Sequence, residues 1–186
     1  MLRNEMDRWG LVSQGLHWLT AVIVIGMFGV GLYMAEVAEP FSSLQFSLFQ
    51  WHKSFGVTVI ALSLLRLGWL ITGPRPADSN MAKAWENKAA RLAHIALHVL
   101  LLVVPLTGWI MTSASTLGLK SMIFGVWELP QIVSPDKALH ETFEEVHESL
   151  AWTFIGLVAL HIGAALKHHF IYRDNVLIRM LPWSKR

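Results

Sequence analysis

Nine histidines occur in a chain of 186 residues that is 54% hydrophobic and 15% charged. Ionisable side chains inside membrane-spanning helices are costly, and those that occur face a bundle interior or a working site. His147 and His161 are 14 residues apart; on one helix that is about 21 Å of rise and within about 40° of the same face. Two imidazoles then line one stripe at two depths. Imidazole in such a place ligates a metal, carries protons, or anchors an interface through hydrogen bonds.

The elements that must position these side chains follow from composition. A mean hydropathy of +0.46 is too apolar for a soluble domain of this size, and about 20 apolar residues cross a hydrocarbon core of about 30 Å. Four stretches qualify, at about 11–34, 52–72, 92–114 and 147–169, and predict an all-α integral membrane four-helix bundle forming a single membrane domain over 1–186. Ser134, followed by Pro135 and Asp136, reads as an N-cap with proline at the first helical position, so the fourth helix starts outside the lipid. Pro105 inside the third is tolerated because neighbouring helices satisfy the carbonyl it frees. The first stretch is longer than a signal-peptide core and lacks an A-x-A cleavage site, so it is expected to be retained.

Lysine and arginine set the orientation. Arg3 and Arg8, then Arg75, Lys83, Lys88 and Arg91, then Lys167, Arg173, Arg179, Lys185 and Arg186 share one side, against Lys53, Lys120 and Lys137 on the other. Both termini are therefore expected in the cytoplasm. The opposite side is acidic, with Asp136, Glu141, Glu144, Glu145 and Glu148. The chain has no cysteine, which removes disulfides, iron–sulfur clusters, thiolate ligation and covalent haem attachment through C-x-x-C-H. Membrane lipid is the expected surround, and no nucleic acid is expected as a partner.

With that orientation the histidines can be matched by depth. His52 opens the second span from outside and lies level with His147; His17, near the cytoplasmic end of the first span, lies level with His161. Imidazole pairs from facing helices fill both axial positions of a haem, a geometry suited to electron transfer because no position is left open for oxygen. Two such haems, one above the other, would span the membrane. Spacing leaves rivals. His94 and His98 share one face of the third span, and His98 is also level with His161. His140 lies on the stripe of His147 but outside the lipid. Met27, Met34 and Met111 read as apolar filling, and the nine tryptophans as interfacial belts.

The segments "QGLHWL" at 14–19, "WHKSFG" at 51–56, "FEEVHESLAW" at 143–152 and "ALHIGAALKHHFIYRDNVLIRMLPW" at 159–183 together resemble the bacterial cytochrome b-561 family over nearly the whole chain. That resemblance implies a four-helix inner-membrane cytochrome with two haem b groups per chain, whose ligand positions fall on His17, His52, His147 and His161, in the pairs His17/His161 and His52/His147. It lowers His94 and His98 to supporting roles. It also implies electron transfer from a periplasmic donor, superoxide or a protein, to membrane ubiquinone.

Around those ligands, Lys53 would offer a cation to a haem propionate or to an anionic donor, or simply anchor the interface. Arg66 would snorkel to the cytoplasmic surface or pair with a propionate of the inner haem. Lys167, His168 and His169 are candidates for hydrogen bonding or protonating a quinone by the inner haem. Two other classes stay open: the cytochrome subunit of a larger dehydrogenase complex, with the apolar loop 121–133 as a docking surface, and a haem-free small transporter or membrane anchor whose histidines carry protons.

Overall fold

The computed structural model describes residues 1–77 and 81–182. Lys185 and Arg186 of the orientation argument, Trp183 of the tail motif, and 78–80 of the link between the second and third spans lie outside the described residues. Four long helices dominate: α1 (Leu11–Leu32), α2 (Ser43–Leu70), α3 (Ala84–Ala114) and α4 (Lys137–Lys167). Short π-helical turns extend α1 through Val37 and α4 through Tyr172. Each of the four is long and apolar enough to cross a membrane.

The helix starts show what apolar periodicity misses. α2 begins at Ser43 rather than 52, because the hydroxyl of Ser42 accepts from the Gln45 backbone N–H and caps the helix well before the apolar run. α4 is capped by Asp136, whose carboxylate accepts from the Leu139 N–H. Asp136, rather than Ser134, is the N-cap. α3 starts at Ala84, where Glu86 reaches back to the Lys83 N–H.

α1 packs on α2, α2 on α3, and α3 most extensively on α4, whereas α1 and α4 meet at few points. One of those is the edge-to-face contact of Phe28 with Trp152, with ring centroids 5.1 Å apart. Outward-facing residues such as Val22, Leu65 and Leu160 stay exposed; in a bilayer these meet acyl chains.

Both described ends of the chain and the start of the α2–α3 link gather at one end of the bundle. Gln14 Nε2 donates to the Arg179 carbonyl, Trp18 Nε1 to the Met180 carbonyl, Arg179 to the Ala77 carbonyl, and the Ala77 N–H to the Met6 carbonyl. The opposite end is closed by a hairpin of β1 (Met122–Ile123) and β2 (Trp127–Glu128), paired Met122 with Glu128 and Ile123 with Trp127. Gly125, at φ +72°, makes its turn. Exposed Lys120 is held above its ordinary pKa by its hydrogen bond to Glu128, 2.7 Å away.

A seven-residue interval runs through all four helices. His17, Val24 and Gly31 lie on α1; His52, Val59 and Arg66 on α2; His94, Leu101 and Gly108 on α3; His147, Phe154 and His161 on α4. Seven residues return to within about 20° of the same face after about 10.5 Å, so these positions form three layers. The middle layer is the core: Val59, Leu101 and Phe154 are 3%, 5% and 8% exposed, and Val24 packs against them.

Candidate functional site

The layers above and below that apolar floor hold the histidines. In the layer nearer the hairpin, His52 and His147 face one another with centroids 6.3 Å apart and ring planes at 80°. In the layer nearer the termini, His17 and His161 face at 6.2 Å and 72°. His94 joins that second layer, 5.3 Å from His161. The structure thus brings together both pairs matched by depth, and brings His94, not His98, against His161.

His98 turns elsewhere, its Nδ1–H donating to the His94 carbonyl at 2.7 Å. His140 donates likewise to the Met111 carbonyl at 2.8 Å. Met27 packs against the apolar core.

The pairs fit an iron held inside a macrocycle. Among the described residues no cluster of three or more His, Asp or Glu side chains could hold a metal ion unaided; two imidazoles suffice only where a porphyrin supplies the other four nitrogens. Two metal–nitrogen bonds of about 2 Å each, plus the ring radii, place facing imidazole centroids about 6 Å apart, close to the two separations observed. Nδ1 of His17 and Nδ1 of His52 are buried without a hydrogen-bond partner, as is Nε2 of His98, so the imidazoles carry a polar cost inside the bundle. His147 is oriented by its surroundings: its Nδ1 lies 3.0 Å from the Val104 carbonyl, which can only accept, and 3.2 Å from Thr107 Oγ1. That contact fixes the tautomer and leaves Nε2 as the electron-pair donor.

Glycines make room for the hairpin-side pair. A Cβ on Gly31 would lie 3.4 Å from His52 Cε1, and one on Gly108 only 3.1 Å from His147 Cε1. Gly31, Gly108 and Thr107 were not singled out in the sequence. Their signal was present for the glycines, which stand 14 residues beyond His17 and His94 respectively.

The remaining candidates divide. Lys53 Nζ donates to Ser121 Oγ at 3.0 Å, and Ser54 Oγ accepts from the Phe124 N–H at 2.9 Å, so α2 beside His52 is tied to the hairpin loop. Ile123 and Leu129 of the apolar loop are buried, while Val126 and Trp127 are exposed. Arg66 sits in the terminal-side layer, at the level of His17, His94 and His161. Lys167 pairs with Glu86 at 2.7 Å, and Tyr172 donates to the same carboxylate. His168 Nδ1 contacts Asp174 Oδ2 at 2.6 Å. His169 packs edge-on against Phe170.

The family model described as prokaryotic cytochrome b561 matches residues 8–183. Two Escherichia coli proteins, cytochrome b561 homologs 2 and 1, are each 32% identical over 97% of this chain, covering 95% and 100% of their own lengths. A probable superoxide oxidase of Yersinia pestis is 25% identical over 94% of this chain and 96% of its own.

Proposed function

The chain belongs to the prokaryotic cytochrome b561 family, as a haem b-binding, multi-pass electron-transfer protein of the bacterial inner membrane, and from that premise we propose that it is a di-haem cytochrome passing electrons from superoxide at the periplasmic face to ubiquinone. The observation that carries the proposal is the pair of facing imidazole couples, His52/His147 and His17/His161, at two levels of one bundle. Each haem, when bound, supplies a ferric/ferrous couple that carries one electron. Two levels about 21 Å apart along the helices reach from one membrane face toward the other.

His52 and His147 hold the periplasmic haem, with His147 aimed by Val104 and Thr107. His17 and His161 hold the cytoplasmic one. Both termini face the cytoplasm in this reading, because the described ends and the α2–α3 link share one end of the bundle and carry most of the lysine and arginine. Lys53, held at the loop by Ser121, attracts an anionic donor to the periplasmic face. Its Ser121 bond favours that role over a propionate contact.

The net reaction takes two superoxide anions, two protons and one ubiquinone to two dioxygen molecules and one ubiquinol. Protons must therefore reach the quinone. His168, backed by the Asp174 carboxylate, is the group that can hold and release one there. Lys167 is already paired with Glu86, and among the described residues His169 has no such backing acid, which leaves both of them flanking the quinone rather than protonating it. Superoxide as donor is supported by the relationship to the Yersinia pestis protein.

Superoxide supplied to the purified, oxidised protein without quinone should bring up the reduced haem bands, and ubiquinone added afterwards should bleach them. Bands that respond to ubiquinol but not to superoxide would remove superoxide as the donor.

A further inference from the structure

The two histidine layers differ in one respect. At the hairpin-side level the two remaining helices contribute Gly31 and Gly108, which carry no side chain; at the terminal-side level the equivalent places hold Arg66 and His94. Arg66 is permanently charged. It is only partly exposed, and none of the ion pairs among the described residues includes it. Arg66 shares the terminal-side layer with His17, His94 and His161, so its charge bears on whatever those imidazoles bind.

The periplasmic-side level has no cation at the equivalent places, which Gly31 and Gly108 hold. Its nearest cation, Lys53, is directed to Ser121 in the loop. Lys120 pairs with Glu128 at 2.7 Å, and Lys137 with Glu141 at 3.6 Å. Glu144, Glu145 and Glu148 flank His147 on the outer turns of α4.

We propose that Arg66 is a positioning residue for charge, raising the reduction potential of the inner site above that of the outer site and so setting the direction of electron flow inward. This rests on the two-haem reading above. Adding an electron lowers the charge of a site by one unit, and a fixed cation in a medium of low dielectric stabilises the more negative state. One electron, with no proton, leaves the outer site oxidised and the inner site reduced. The apolar floor of Val59, Leu101 and Phe154 between the levels keeps water, and therefore screening, from levelling the difference.

The test is a potentiometric titration of the visible spectrum on haem-loaded protein. His52→Ala, which removes an outer ligand, identifies the inner wave as the one that survives. The wild type should show the inner wave at the higher potential. Arg66→Gln should move that wave alone downward, and Arg66→Lys should leave it near the wild-type value. An inner wave already the lower of the two in the wild type would overturn the proposal, even if Arg66→Gln failed to hold haem. So would two unmoved waves in a fully loaded Arg66→Gln. Failure of the two-haem reading would instead appear as a haem count below two in the wild type, before any potential is read.

Discussion

A methyl group added to Gly108 would lie 3.1 Å from Cε1 and 3.2 Å from Nδ1 of His147. Such approaches are tighter than nine in ten real Cβ contacts, so the imidazole that the Val104 carbonyl orients must give by a few tenths of an ångström. Overpacking of this kind costs about 1–3 kcal/mol. Gly108→Ala should therefore weaken retention of the outer haem about tenfold or more, read as haem per protein after repeated washing. Gly31→Ala, whose Cβ would stand at 3.4 Å from His52, should stay within about twofold of wild type. The reverse order of the two variants would contradict the packing argument.

Thr107 Oγ1 donates to the Val104 carbonyl and so can only accept from His147 Nδ1. Val104 remains as an acceptor when the hydroxyl is removed. Thr107→Val should cost outer-haem affinity at the low end of the about 10- to 100-fold range for partners of a metal-bound histidine. An unchanged affinity would show that Val104 alone aims the ring.

The spans were legible because each holds a long apolar run; the extra turns were not. Ser42 begins α2 through a hydroxyl cap, and Asp136 caps α4, signals of a single side chain that hydropathy averages away. His147 and His161 revealed their shared stripe through spacing, and depth matched each to a partner, so both facing pairs could be anticipated. What spacing left open was which third-span histidine approaches His161. The helix rotation decides it: His94 lies on the seven-residue series with Leu101 and Gly108, and His98 does not. Gly31 and Gly108 escaped notice because a glycine in an apolar helix carries no chemistry of its own. Its meaning appears only when a neighbouring ring fills the space.

Lys53 offers a cation beside His52 and is anchored by Ser121. Lys53→Met should slow reduction by superoxide several-fold and flatten its dependence on ionic strength, with haem content unchanged. An equal rate and equal salt dependence in the variant would assign Lys53 to anchoring the loop.

His168 and His169 are neighbours with different surroundings, and among the described residues His168 has an acid behind it while His169 has none. His168→Ala should lower ubiquinone reduction about tenfold or more with both haem bands intact. His169→Ala should leave turnover close to wild type. Equal losses in both would point to a shared structural role for the final turn of α4.

Pyridine haemochrome quantitation with reduced-minus-oxidised spectra on the wild type, His52→Ala, His161→Ala and His94→Ala counts the haems and shows which imidazole pair holds each. The wild type should carry two haem b groups per chain; His52→Ala should lose one, His161→Ala the other, and His94→Ala should keep both. One haem or none in the wild type, or both haems surviving the His52 and His161 substitutions, would contradict two haems held by two imidazole pairs.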